Sequence, residues 1–182
     1  EARQEVLRRV LVPTNIPTES LWLTDAVGRV CAADIRSDRD MPPLARSLRD
    51  GFAVRSEDLA SQLEISGEIR AGQMPSEALA PGSTMSIMTG AVIPDGADQV
   101  VMKEHVLNAG THINTERSPN PGEWISPAGS MAHQGDIVIP RGRRMDPAAI
   151  AMLATVGQRQ ILVTRHPIVR ILATGDEIVD IA

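Results

Sequence analysis

The chain of 182 residues has room for one large or two small domains, and its 42% hydrophobic and 23% charged residues are ordinary for a globular protein. A net charge of −5 argues against a phosphate-backbone binder, and the few large rings (Trp22, Phe52, Trp124, no Tyr) leave little on which bases could stack. No apolar run approaches membrane-spanning length, no signal peptide is visible, and the single cysteine, Cys31, cannot close an internal disulfide; the reading is a cytoplasmic protein with no nucleic-acid or membrane partner.

In chain order, residues 2–12 carry an apolar stripe (Val6, Leu7, Val10, Leu11) and read as a helix ended by Pro13. Residues 20–23 are a short extended piece. Thr24 or Asp25 caps a single helical turn that stops at Gly28, and residues 30–35 read as a strand. From Met41 the character changes. Pro and Gly punctuate short apolar runs at 52–54, 63–69, 84–88, 99–106, 111–115 and 136–139, the pattern of a β domain rich in turns. Asn108-Ala109-Gly110 reads as a hairpin connection. Helix signals return at Asp146, an N-cap, and Pro147, at the first helical position; residues 148–156 are apolar nearly all round and predict a buried helix stopped by Gly157. Residues 161–164 and 168–173 read as strands. The second feeds the polar loop Thr174-Gly175-Asp176-Glu177, the way an α/β unit begins, so a longer protein is expected.

Chemistry concentrates in two places. Arg46-Ser47-Leu48-Arg49-Asp50-Gly51 puts a hydroxyl, two guanidinium groups and a carboxylate between Pro42-Pro43, which should hold the approach extended, and a strand entry at Phe52. Taken alone, it reads as a surface turn with solvated charges rather than a site. The second is the closing loop, where Asp176 and Glu177 could hold magnesium through oxygen or simply suit a helix N-terminus. Thr89-Gly90 offers a hydroxyl and close backbone approach after a strand, or an ordinary turn. The four histidines show no metal-ligand spacing, and there is no nucleophile elbow, P-loop or dinucleotide-binding glycine fingerprint.

The order of these motifs resembles the molybdopterin molybdenumtransferase family (MoeA and the gephyrin E domain). The match runs through Ala26-Val27-Gly28-Arg29-Val30, Asp34, Pro42-Pro43 and Ser47-x-x-Asp50-Gly51-Phe52-Ala53-Val54. It continues with Gly67-Glu68, Ala71-Gly72, Leu79-x-Pro81-Gly82 and Ile87-Met88-Thr89-Gly90-Ala91-Val92-Ile93-Pro94-x-Gly96-Ala97-Asp98, then Val100-Val101, Glu104, Gly135-Asp136 to Pro140, and Thr174-Gly175-Asp176-Glu177. It covers essentially the whole chain; the ordered set is more specific than any one motif.

The resemblance implies a predominantly β fold of bent, bifurcated sheets flanked by an elongated helical domain. It places the helical domain at 1–40 and 141–166, the inserted β domain at 41–140, and the first strand of a truncated molybdopterin-binding α/β domain at 167–182. It implies insertion of molybdate into adenylylated molybdopterin with release of AMP, in a homodimer whose cleft joins the β domain of one subunit to the α/β domain of the other. Molybdopterin adenylyltransferase is an implied partner, and the fragment alone should be inactive. Carried over by position, Asp50, Thr89 and Glu177 are the catalytic residues, Asp50 and Glu177 the magnesium ligands, and Ser47, Arg49, Gly90, Thr174 and Asp176 the cofactor-binding residues. The sequence departs from the family where an Arg-Arg-x-Gly-Glu-Asp segment is usual: here Ser126-Pro127-Ala128-Gly129-Ser130-Met131 stands, so a neutral thioether replaces a carboxylate. Arg46 stands where Asn is usual and Arg49 where Met is usual. These departures leave an alternative: a divergent member that binds a pterin, nucleotide or protein partner, or a dimerisation scaffold.

Overall fold

Proline and glycine cut the middle of the chain into short apolar runs, and in the computed structural model those runs are strands. The structure describes residues 2–9, 16–107, 110–115, 117 and 120–170. The chain divides into two compact units, one formed by Arg36–Val138 and the other by Glu1–Ile35 with Ile139–Ala182.

The Arg36–Val138 unit is built on a six-stranded sheet. Its order is Gln99–Met102, Gly51–Val54, Ser83–Ile87, Leu63–Ile69, His112–Thr115, Val106–Leu107. Neighbours are antiparallel except Leu63–Ile69 and Ser83–Ile87, which run parallel with an irregularity between Ile65 and Gly67. The two edge strands are joined by a single 3-10 turn, Lys103–His105, which curls the sheet toward a barrel. The expected strand over 99–106 is therefore two strands broken by the Lys103–His105 turn; the Lys103 N–H still donates to the Asp50 carbonyl at 3.2 Å, in register with Gly51 opposite Met102, before the chain turns.

Alternation sorts the apolar side chains onto two cores. Phe52 and Val54 join Leu59, Leu63, Val101 and Ile113 on one side. Ala53 joins Ile69, Leu79, Met85, Ile87, Ala91 and Val100 on the other. The buried Thr84 hydroxyl donates to the Ala53 carbonyl at 2.7 Å, so its burial leaves no unmet donor. Gly51 marks a close approach: a Cβ there would lie 2.0 Å from the Val101 carbonyl oxygen. A short ribbon pairs Arg46–Ser47 with Ile125–Ser126, in register Ser47 to Ile125 and Arg46 to Ser126. Upstream of it the Met41–Pro42 peptide is cis and residues 42–44 bend, so the prolines turn the chain where an extended approach is expected.

The other unit holds helices Ala2–Arg9 and Pro147–Thr155 and an antiparallel ribbon of Thr18–Trp22 with Gln160–Thr164. Asp146 caps the second helix as expected, accepting the Ala149 N–H at 2.7 Å. Only one face of that helix is buried, through Ala149 and Leu153, while Ala148, Ala151 and Ala154 are exposed; alanine made the segment read more apolar than it packs. The expected elongated helical domain is not what the described residues form. Two helices of eight and nine residues accompany a β ribbon, because residues 18–22 and 160–164 alternate and pair with each other. Nor is 30–35 one strand. The Cys31 N–H donates to Arg143 and the Ala32 N–H to Leu162, so these two residues alternate between two partners, and only Ile35 belongs to a strand, Ile35–Arg36. Residues 168–170 are not strand, and the rest of the expected 168–173 strand lies outside the described residues, as do Asn108 and Ala109 of the expected hairpin connection. No described helix is long and apolar enough to cross a membrane.

Candidate functional site

Sheet register decides what meets Asp50. Gly51 sits opposite Ile87 on one side and Met102 on the other, so Asp50 projects just beyond two strand ends. One of those ends continues into Met88-Thr89-Gly90. There the Asp50 Oδ1 accepts the Thr89 backbone N–H at 2.7 Å and the Thr89 hydroxyl at 2.8 Å. These two bonds, backbone first, hold the Asp50 carboxyl below its usual value, with the positive charge of Lys103 adding to the effect. Among the described residues the other oxygen, Oδ2, accepts no hydrogen bond, and the carboxylate is exposed. A carboxylate fixed through one oxygen and open at the other can take a cation or receive a proton donor without first being ordered.

Ser47 and Gly90 build the frame rather than the open face. Ser47 is buried, its hydroxyl donating to the Arg49 carbonyl at 2.6 Å, and its carbonyl accepts the Gly90 N–H at 2.8 Å. Gly90 has φ +82°, a left-handed conformation that favours glycine, and its carbonyl accepts from Arg46 Nη1 at 2.8 Å. Arg46 is thus committed to the turn that carries Thr89. Arg49 does something different. Its guanidinium lies over the Trp124 ring, 4.7 Å from the centroid. Trp124 itself has φ +62°, unusual for a bulky residue, while its carbonyl accepts the Leu48 N–H at 2.8 Å and its side chain packs on the Ala53 core.

Of the sequence candidates, the structure brings Asp50, Thr89, Gly90 and Ser47 into one hydrogen-bonded group and sets Arg49 beside it on Trp124. Thr174, Asp176 and Glu177 lie outside the described residues. No group of three His, Cys, Asp or Glu that could hold a metal occurs among the described residues, leaving Asp50 as the one member of the expected magnesium pair they contain. A single carboxylate suits magnesium, which keeps several waters and binds one or two carboxylates beside substrate phosphates. The divergent segment lies against the opening motif: Ser126 pairs with Arg46, and the 77% exposed Met131 donates its N–H to the Met41 carbonyl at 2.8 Å. Two residues escaped the sequence reading, Trp124 and Lys103. Their rarity was a signal, since Lys103 is the one lysine in the sequence and Trp124 one of two tryptophans.

Comparison with known proteins places this geometry in a family. The family described as "MoeA N-terminal region (domain I and II)" matches residues 1–157. The molybdopterin molybdenumtransferase of Haemophilus influenzae is 37% identical over 184 residues, covering 100% of this chain and 45% of its own length. That of Bacillus subtilis is 37% identical over 176 residues, covering 91% of this chain and 41% of its own. The chain thus spans less than half the length of these curated relatives. Two crystal structures of the molybdopterin biosynthesis MoeA protein from Pyrococcus horikoshii superpose with TM-scores of 0.77 and 0.78, at 34% and 31% identity, covering 81% and 90% of this chain and 41% and 43% of theirs. The predominantly β architecture and the ordered motifs are accounted for together: the chain belongs to the MoeA family and corresponds to its N-terminal region.

Proposed function

We propose that the full-length protein is a molybdopterin molybdenumtransferase, which inserts molybdate into adenylylated molybdopterin and releases AMP. The observation that carries the reading is Asp50, ionised and held by both donors of Thr89 with one oxygen open. In this reading the Arg36–Val138 unit corresponds to the β domain, and residues 167–182 open the α/β domain. Asp50 and Glu177 hold magnesium, which when bound polarises the phosphoanhydride and screens the charge of the departing AMP. Asp50 orients that ion, and Thr89 fixes the carboxylate while offering its hydroxyl oxygen to solvent and ligand. Ser47 and Gly90 shape the turn; Arg49 meets the anionic groups of the substrate, and Thr174 and Asp176 complete the cofactor-binding set. The working assembly is a cytoplasmic homodimer supplied by a molybdopterin adenylyltransferase, and the N-terminal piece alone does not turn over. The test uses full-length protein given adenylylated molybdopterin, molybdate and magnesium. AMP should appear, and Asp50→Asn should slow its release on the order of a hundredfold. Absence of AMP from the unmodified protein, or full activity in Asp50→Asn, would overturn the reading.

A second reading has its own observation. Met131 occupies the position where the family's carboxylate is expected, and its exposed thioether binds neither a hard cation nor a proton. A family member that binds a pterin, nucleotide or protein partner without transfer fits that substitution. If the unmodified protein releases no AMP and Met131→Asp does not restore release, this second reading stands.

A further inference from the structure

Trp124 holds a backbone conformation that its residue type disfavours. Its φ is +62°, in the left-handed region where a Cβ is crowded. The residues on either side of it are tied to different elements. Before it, the Gly122 N–H donates to the Asp98 carbonyl at 2.8 Å and the Glu123 carbonyl accepts the Val100 N–H at 3.2 Å, which fixes the turn to the head of the Gln99–Met102 strand. The Glu123 carboxylate closes that turn, accepting the Asn120 N–H at 2.9 Å and Arg117 Nη2 at 2.7 Å. After it, Ile125 pairs with Ser47 of the opening motif. Trp124 alone carries the chain from one tie to the other, and the ties on both sides hold the strain in place. The strained residue then contacts the opening motif twice. Its carbonyl accepts the Leu48 N–H at 2.8 Å, and its ring, packed on the Ala53 core, lies 4.7 Å from the Arg49 guanidinium.

Arg49 is exposed and forms no salt bridge among the described residues. Its backbone is fixed by Ser47, whose hydroxyl donates to the Arg49 carbonyl at 2.6 Å, while its side chain rests on the indole. We propose that Trp124 is a positioning residue, whose strained backbone seats its ring under Arg49 and so holds that guanidinium in one plane next in the chain to Asp50. A free arginine side chain samples many rotamers, and ordering it when a ligand arrives costs affinity; a stacked one is ordered beforehand. An aromatic face also suits the task better than a carboxylate. It attracts the cation without neutralising it, and it leaves the N–H groups at the edge of the plane unused. The part Trp124 plays in turnover rests on the transfer reaction proposed above; its hold on Arg49 does not.

The first readout is the Arg49 Nε–H resonance of full-length, nitrogen-labelled protein. The ring should shift it upfield; Trp124→Leu should abolish the shift, and Trp124→Phe should keep most of it. The second is the transfer assay. Trp124→Leu should raise KM for adenylylated molybdopterin roughly two- to fivefold, the worth of one exposed cation–ring contact, and change kcat less. In an Arg49→Met background the same substitution should add nothing, because Trp124 acts through Arg49. A Trp124 that serves only the core would lower kcat/KM by the same factor in both backgrounds, and that result would overturn the proposal. So would an Arg49 resonance that Trp124→Leu leaves unmoved. If Trp124→Leu does not unfold cooperatively in urea, Trp124→Phe decides, since it keeps a ring on the core: a retained resonance shift supports the proposal, and a resonance at the unstacked position overturns it. If the unmodified protein releases no AMP, the transfer reading fails, and the resonance alone decides whether Trp124 holds Arg49.

Discussion

Thr89 contributes two bonds to one carboxylate oxygen, and they are separable by mutation. Thr89→Val removes the hydroxyl at 2.8 Å and keeps the backbone N–H at 2.7 Å. The backbone bond is the larger cause of the lowered Asp50 value, so the substitution should raise the Asp50 pKa only part of the way toward 3.8. A carbon-detected carboxyl titration reads this directly, and an unmoved value would show that the hydroxyl does not bind the carboxylate in solution. The sign for stability follows from linkage. A carboxyl with a depressed folded value stabilises the fold above its unfolded value, and the contribution is lost as pH falls through the folded value. The stability gap between the unmodified protein and Thr89→Val should therefore be present at neutral pH and close in acid below the folded value of Asp50. At this scale the sequence named the carboxylate but not why it is poised. Asp50 and Thr89 are far apart in the chain, and only the register of Gly51 against Ile87 brings them together.

Among the elements, the Gly51–Val54 strand sets the site, and it does so through a glycine. A methyl group at Gly51 would press 2.0 Å from the Val101 carbonyl oxygen, so either this strand or Gln99–Met102 must shift. Gly51→Ala should cost about 1–3 kcal/mol, a penalty typical of overpacking. The same shift should displace Asp50 from Thr89 and Lys103 together. Urea unfolding gives the first quantity, and recovery of the Asp50 pKa toward its ordinary value gives the second; an unchanged midpoint would mean the strands are not held this tightly. Elements with local signals were legible beforehand. The Asp146-Pro147 start and the Gly157 stop frame a helix whose cap forms as expected, and the short runs between prolines and glycines are strands. Elements that depend on distant partners were not. The Thr18–Trp22 ribbon needs Gln160–Thr164 from the far end of the chain. The Lys103–His105 turn, which carries the chain from one edge of the sheet to the other, has no signal in the 99–106 run.

For the molecule, the unit from Arg36 to Val138 contains its own reasons to fold. Both apolar clusters lie wholly inside it, and so does every strand of the six-stranded sheet. Its ends are tied to each other within the unit: the Ser37 N–H donates to Asp136 at 2.9 Å, the Gly135 N–H returns to Ser37 at 2.9 Å, and Arg36 Nη1 reaches the Gly135 carbonyl at 2.7 Å. A segment of about a hundred residues with an internal core and adjoining ends is of ordinary domain size. Expressed alone, residues 36–138 should unfold cooperatively in urea with dispersed amide resonances. A gradual, non-cooperative transition would show that the sheet depends on the other unit. The piece also carries Ser47, Arg49, Asp50, Thr89, Gly90, Lys103 and Trp124, so the depressed Asp50 pKa should persist in it. A fold that survives while the Asp50 value returns to normal would separate the two, and would mean that the carboxylate owes its poise to residues beyond this unit.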